Sequence, residues 1–236
     1  MTIPTNPVLE LSDVAKDYRG LRPLRIAALA VYPGEHIAIL GLDQTTAEVF
    51  VNLVTGAAVP DRGEVRLFGR STAMITDSAD WLAVVDRFGI VSPRAVLLDA
   101  LTVVQNLALP FTLEIEPPAP DIRARAIALA QRVGLDDTSL DRAVAELGPL
   151  GHARVRLGRA LALDPAVVIL EHPTTDVPRE AVAELAVQCR AVPAATIALT
   201  ADAEFAEAVA ERPLTLDPAT GRLGGRAGWF SRIRRG

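Results

Sequence analysis

The sequence predicts an α/β protein whose core is a mainly parallel sheet. Short, continuously apolar runs at His36–Leu40 (HIAIL), Ala166–Leu170 (AVVIL) and Thr196–Thr200 have the composition of strands buried on both faces. Segments with helical periodicity lie between these runs, and a stretch without strands occupies about 95–150. Alternation of buried strands with helices is typical of layered α/β folds. The middle stretch predicts an inserted helical lobe.

The remaining elements follow the same reasoning. Leu24–Val31 has the alternation of a strand, and the run His36–Leu40 ends at Gly41, a residue suited to a turn. The apolar spacing in Ala119–Gly134 predicts a helix with Asp121 as its N-cap. Further strands are predicted at Val8–Val14, Gly63–Phe68, Gly89–Val91 and Pro213–Leu216, and further helices at Thr45–Val54, Gly151–Leu163, Arg179–Arg190 and Ala203–Ala210.

Composition excludes several classes of function. Half of the 236 residues are apolar and the net charge is −5, which argues against disorder and against a generic nucleic-acid binder. The single Cys189 excludes a disulfide framework, and no Cys/His cluster suggests a zinc site. No signal peptide and no run of 18 apolar residues is present, so we expect a cytoplasmic chain. Lys16 is the only lysine, so a function that needs a lysine elsewhere is excluded.

The order strand, Gly41, loop, helix is the layout of a phosphate-binding loop. That chemistry needs G-x-x-x-x-G-K-[ST], in which backbone N–H groups surround phosphates, lysine neutralises them and a hydroxyl holds magnesium. The segment here reads Gly41-Leu42-Asp43-Gln44-Thr45-Thr46-Ala47-Glu48. Ala47 stands in the lysine position and Glu48 in the hydroxyl position, and no arginine follows closely in the sequence. Asp43 and Glu48 would repel phosphate.

The order of segments over residues 7–223 resembles the ATP-binding cassette of ABC transporters. The stretches that carry the resemblance are TGAAVPDRGEVRLFGR (55–70), RFGIVSP (87–93), LLDALTVVQNLALP (97–110), LGPLGHARVRLGRALALDPAVVILEHPT (147–174) and ALTAD (198–202). The resemblance implies a P-loop NTPase-like cassette with an N-terminal antiparallel β part and a helical subdomain. It also implies one cassette-like domain over residues 1–225, followed by a basic, aromatic tail over residues 226–236.

The resemblance places family motifs on specific residues. Tyr18 matches the aromatic position that stacks on adenine, and Pro93 matches the Q-loop glutamine. Glu171 and His172 match the second acidic motif and its general base, and Ala201 matches the switch histidine. The nucleotide-binding positions are Tyr18, Gly41, Gln44, Thr45, Thr46, Ala47 and Glu48, and the signature positions are Leu147, Gly148, Pro149, Leu150 and Gly151.

Most of these positions lack the family's chemistry. Phosphoryl transfer needs charge neutralisation, a positioned metal and an oriented water, and a named group is missing for each. We therefore expect no catalytic residue, no bound metal, and ATP binding that is weak or absent. Three readings remain open: a non-catalytic structural or regulatory subunit of a transporter, a nucleotide-independent scaffold outside transport, and a weak ATPase that uses Glu171 and His172.

The expected partners are transmembrane permease subunits, another cassette, or both, and no nucleic acid. The resemblance implies docking through residues around Pro93–Leu109 and a peripheral location at the inner face of the cell membrane. Trp229, Phe230 and the surrounding arginines of the tail could add a contact with the membrane or a partner.

Overall fold

The molecule contains two sheets in this computed structural model, which describes residues 6–225. The smaller sheet is built from β1 (Leu9–Lys16), β2 (Leu24–Val31), β4 (Arg62–Leu67) and β5 (Arg70–Ser71). Its order is β2-β1-β4-β5 and all its pairings are antiparallel. This sheet is the N-terminal antiparallel β part that the sequence predicts.

The larger sheet contains β3 (His36–Leu40), β6 (Phe88–Val91), β7 (Val167–Glu171), β8 (Ala195–Leu199), β9 (Arg212–Leu216) and β10 (Leu223–Gly225). Its order is β10-β9-β3-β8-β7-β6, and every pairing is parallel except that of β9 with β10. Every residue of β7 and β8 is buried, as their continuous apolar sequences predict. The mainly parallel core sheet is therefore confirmed.

Seven α-helices surround the sheets in the described part of the chain. They are α1 (Gln44–Val54), α2 (Ser78–Val85), α3 (Val103–Ala108), α4 (Pro120–Arg132), α5 (Pro149–Leu161), α6 (Arg179–Arg190) and α7 (Ala203–Val209). Short 3-10 turns occupy residues 72–74, 137–139 and 144–146. No described helix is long and apolar enough to cross a bilayer.

Helices α3, α4 and α5 pack against each other through a shared apolar interior. Val104, Leu107, Ala130, Val133 and Leu157 are among its buried side chains. A capping box at Thr102 and Gln105 starts α3, because each side chain accepts a hydrogen bond from the other residue's backbone N–H. The division of the chain into a domain over 1–225 and a lobe over about 95–150 stays a prediction, and the predicted tail lies outside the described residues.

One local expectation was wrong, and one helix was missed. Asp121 is not the N-cap of α4: Ala119 holds that position, Pro120 follows, and Asp121 lies in the first turn. A proline is well suited to the first helical position because its missing N–H would have no partner there. The sequence analysis also missed α2, a helix of eight residues whose apolar side chains lie around its circumference rather than on one face, so that it lacks the periodicity of an amphipathic helix.

Candidate functional site

The candidate site lies at the carboxyl edge of the larger sheet. Gly41 follows β3, Pro93 follows β6, His172 follows β7 and Ala201 follows β8. These strands are parallel, so their carboxyl ends meet at one edge, the usual place for ligand sites in open α/β sheets. The fold thus brings together four segments that the sequence reading selected separately.

Gly41 makes the sharp turn from β3 into the loop before α1. Its φ is +94°, a region that favours glycine, and a Cβ placed there would lie 3.1 Å from the backbone oxygen of Leu216. The turn lets α1 begin at Gln44 directly above the sheet edge. The layout of a phosphate loop is therefore present in the backbone.

A side chain of the protein itself binds the N-terminus of α1. The Asp43 carboxylate accepts hydrogen bonds from the Thr46 backbone N–H at 2.8 Å and from the Thr46 hydroxyl at 2.7 Å. These hydrogen bonds lower the pKa of Asp43, and the nearby His172 contributes in the same direction. Because a helix N-terminus carries partial positive charge, Asp43 occupies the place where an external anion would otherwise be favoured.

The other loop positions contribute no positive charge. Ala47 is fully buried and packs into the apolar core beneath the loop. Gln44 and Thr45 are exposed, and Glu48 is half-exposed on the first turns of α1. Tyr18 is half-buried beside this loop, and its burial together with the charge of Asp43 raises the pKa of its phenol.

Glu171 is a fully buried carboxylate at the end of β7, and an arginine neutralises it. Nη2 of Arg94 donates to both carboxylate oxygens of Glu171, at 2.9 and 2.8 Å. Nη1 of the same guanidinium lies 2.5 Å from Oε1 of Glu48. A buried charge requires such a partner, since leaving it unpaired is very costly.

Sequence reasoning missed Arg94, because it searched for a substitute cation only near the loop at Gly41. Arg94 is 46 residues beyond Glu48 and 77 residues before Glu171, but β6 and β7 are neighbours and end side by side. The sequence holds only part of the signal. A glutamate that closes an apolar strand needs a cation, but the choice of Arg94 depends on β6 lying beside β7, which the sequence does not show.

His172 has an unusual backbone and an unpaired ring nitrogen. Its φ is +43°, and its backbone N–H donates to the Leu199 oxygen at 2.8 Å, which joins it to the end of β8. The buried Nε2 of His172 finds no hydrogen-bond partner among residues 6–225. Ala201 is exposed and its methyl group offers no polar contact, whereas the next residue, Asp202, caps α7.

The signature positions form the start of α5. Gly148 is the N-cap, without a side-chain hydrogen bond, and Pro149 is the first helical residue. Pro149 and Ala153 line a small cavity that Pro93 and His172 also line. The site therefore contains the start of α5 on one side and the ends of β6 and β7 on the other. Leu147 and Leu150 are half-buried, and Gly151 lies against the Leu147 side chain.

Comparison with known proteins identifies the family. Residues 24–175 match the sequence profile described as "ABC transporter". The chain belongs to the ABC transporter family. Within the described residues, its two sheets and helices form the α/β fold of an ATP-binding cassette.

Several curated relatives resemble this cassette. The lipoprotein-releasing system ATP-binding protein LolD of Pseudomonas fluorescens is 31% identical over 171 residues, which are 71% of this chain and 74% of that protein. The methionine import ATP-binding protein MetN of Brucella abortus is 27% identical over 89% of this chain and 58% of its own length. ABC transporter H family member 2 of Dictyostelium discoideum is 31% identical, and the matched region spans only 34% of it.

Solved structures share the cassette's fold. One is cbiO1 from Clostridium perfringens, part of the ABC transporter complex cbiONQ, with a TM-score of 0.78 and 20% identity over 97% of this chain and 92% of that one. Another is the dimeric ATP-binding cassette MJ0796 in a post-hydrolysis state bound to ADP and Pi. Its TM-score is 0.73, with 21% identity over 91% of this chain and 96% of that one.

Proposed function

We propose that this cassette is a non-catalytic structural or regulatory subunit of an ABC transporter complex. The observation that carries the proposal is the Arg94 guanidinium, which lies between Glu48 and Glu171 at the sheet edge. In the family these two positions serve the magnesium ion. Here both carboxylates are already paired with a cation that belongs to the chain.

The residues present do not fit a magnesium–nucleotide complex. Asp43 takes the hydrogen bonds at the start of α1, and the buried methyl group of Ala47 replaces a lysine ammonium. No group of His, Cys, Asp and Glu within residues 6–225 is arranged to hold a metal ion. A nucleotide would have to displace Asp43, and its phosphates would then compete with Glu48 and Glu171 for the Arg94 guanidinium.

Calorimetry with Mg-ATP tests the proposal. Each lost charge-assisted contact is worth roughly 1.5–3 kcal/mol. Three such losses total about 4.5–9 kcal/mol, which is about three to six decades in affinity. We expect no heat of binding at 100 µM protein and no phosphate release above a protein-free blank. An intact family member prepared in the same way is the positive control. A micromolar dissociation constant, or turnover that disappears in Glu171→Gln, would support the weak-ATPase reading instead.

The partner proposal rests on a cleft between β6, the edge strand of the larger sheet, and helix α5 together with the residues that follow α3. The cleft has a volume of about 360 Å³, and its lining is mixed: Phe88, Ile90, Leu109 and Leu163 supply apolar surface beside an equal share of polar surface. Arg156 and Arg159 of α5 also line it, and within residues 6–225 neither forms a salt bridge. Burial lowers the pKa of Arg159, since no carboxylate accompanies it.

A cleft that combines apolar side chains with two arginines that have no carboxylate partner fits a partner helix that carries apolar residues and a carboxylate. We propose that this helix belongs to a transmembrane permease subunit, which would place the cassette at the inner face of the cell membrane. The relatives are described as components of import and lipoprotein-releasing systems, in keeping with such a partner. Docking of this kind requires no nucleotide.

A further inference from the structure

Every polar group at the end of the Arg94 side chain has a partner within the chain. Nη2 contacts both oxygens of Glu171 on β7, Nη1 contacts Glu48 on α1, and Nε lies 3.4 Å from the Ser92 hydroxyl. The backbone N–H of Arg94 also donates to that hydroxyl, at 3.2 Å. The guanidinium therefore joins three separate elements of the fold.

The burial of these groups differs in a way that explains the pairing. The Glu171 side chain is 0% exposed, while those of Arg94 and Glu48 are 40% and 47% exposed. Desolvation alone would lower the pKa of Arg94, but the hydrogen bond and charge of Glu171, together with Glu48, raise it. Arg94 thus stays charged and supplies the only cation in contact with the buried carboxylate among the described residues.

Residues 92–98, the linking loop, join this ion cluster to the helices. Arg156 of α5 donates to the Ala95 backbone oxygen at 3.3 Å, and Arg159 donates to the Val96 oxygen at 2.8 Å. At the end of the loop, the fully buried Asn106 of α3 exchanges hydrogen bonds with the backbone of Leu98, both at 3.0 Å. Contacts from both the sheet and the helices therefore hold the loop along its length.

We propose that Arg94 is the resident cation of this site, and that it fixes the linking loop in one arrangement that requires neither metal nor nucleotide. The guanidinium supplies the positive charge that Glu48 and Glu171 require. It also ties the loop to α1 and β7, while α5 holds the same loop from the other side. The inference deepens the proposed function and rests on it for its biological role, but its physical content can be tested separately.

The test compares thermal unfolding of the full chain in EDTA for the wild type, Arg94→Ala, Glu171→Gln and the double variant. Arg94→Ala leaves the buried carboxylate without a cation, so we expect Tm to fall by about 6–20 °C. Failure of this variant to fold counts as a loss of at least that size. The double variant removes the unpaired charge and should recover more than half of the loss. Arg123→Ala, which breaks the exposed pair with Asp141, should change Tm by less than about 2 °C.

Two further readouts separate the charge effect from simple packing. Methylguanidinium chloride at 10 mM should raise the Tm of Arg94→Ala, and should leave the wild type and the double variant unchanged. In the double variant, amides of residues 92–98 should exchange with deuterium at least about tenfold faster, while those of residues 120–132 keep their wild-type rates.

Three results would overturn the inference: Arg94→Ala within about 2 °C of the wild type, a double variant no more stable than Arg94→Ala, or unchanged exchange of the linking loop. These results are distinct from a failure of the proposed function. Binding of Mg-ATP by the wild-type chain would refute the proposed function with the Tm pattern intact. If the wild-type chain binds no nucleotide but Arg94→Ala has the same Tm as the wild type, only the role of Arg94 is refuted.

Discussion

Asp43 shows how one side chain changes the electrostatics of a helix start. Its carboxylate accepts two hydrogen bonds from Thr46, so it stabilises α1 in the way that a bound anion would. The hydrogen bonds lower the pKa of Asp43 below its usual value of 3.8. A carboxylate with a lowered folded-state pKa stabilises the fold above the unfolded pKa, and this contribution is lost as pH falls through the folded value.

We therefore expect the variant Asp43→Asn to differ from the wild type in a pH-dependent way. Asparagine is an equally good N-cap but carries no charge, so the wild type should be more stable by about 0.5–1 kcal/mol at pH 6. This advantage should shrink as pH falls below 3.8, measured as urea unfolding free energies at pH 6, 4 and 3. Asp43→Ala, which loses the cap as well as the charge, should cost about 1.5–2 kcal/mol at pH 6. A difference between wild type and Asp43→Asn that is the same at all three pH values would contradict the prediction.

At the scale of elements, the backbones of α5 and β6 lie so close together that there is no room for a side chain between them. A Cβ added at Gly89 of β6 would lie 2.2 Å from the backbone oxygen of Ala160 in α5. The backbones themselves are in contact, so neither flexible side chains nor rotamer changes can make room. This contact places Arg156 and Arg159 directly beside the end of β6.

Gly89→Ala should therefore destabilise the protein strongly. The new methyl group can be accommodated only if the backbone of α5 moves away from the sheet, so we expect the free energy of unfolding to fall by about 3 kcal/mol or more. Gly224→Ala in β10 is the matched control, since a Cβ there meets no atom within 4 Å, and its effect should stay within about 0.5 kcal/mol. Urea unfolding followed by circular dichroism measures both. Equal stability of the two variants would show that the contact is easily relaxed.

Comparison of individual elements shows what the sequence could predict. The strand His36–Leu40 and the helix Arg179–Arg190 have the predicted bounds. A strand buried on both faces gives a continuous apolar run, and a helix buried along one face gives a periodic one, so both are clear in the sequence. The helix predicted at Gly151–Leu163 instead runs Pro149–Leu161, because a proline can begin a helix. Helix α2 left no periodic pattern, since its apolar residues are not confined to one face.

The candidate site was predictable in its location but not in its charges. Parallel strands that end in turn residues indicate a shared sheet edge, so the grouping of Gly41, Pro93 and Glu171 follows from the sequence. The ion cluster does not, because its members are far apart in the chain and meet only through the neighbouring positions of β6 and β7. Long-range electrostatic pairing depends on strand order, and local sequence patterns do not reveal strand order.

At the scale of the whole molecule, the ion cluster and the partner cleft share the linking loop. Glu48 of α1 and Glu171 of β7 hold the loop through Arg94, and Arg156 and Arg159 of α5 hold it while lining the cleft. The shape of the cleft therefore depends on contacts within the chain. Val96 and Leu98 of the loop remain exposed, by 73% and 42%, whereas Leu97 belongs to the core.

This arrangement predicts that the complex with the proposed transmembrane partner forms without nucleotide. Co-purification of the tagged full chain with its permease in EDTA and without ATP should recover the same amount of partner as in Mg-ATP. Val96→Asp and Leu98→Asp each place a charge on an exposed apolar residue of the linking loop, whose Ala95 lines the cleft, and Arg159→Gln removes a positive charge from the cleft. Each should weaken binding at least about tenfold, equivalent to roughly 1.4 kcal/mol. Leu113→Asp is the matched control, because Leu113 is 88% exposed and lies outside both the linking loop and the cleft lining. Recovery of the partner only in the presence of ATP, or an equal loss in the control, would exclude this cleft as a nucleotide-independent docking surface.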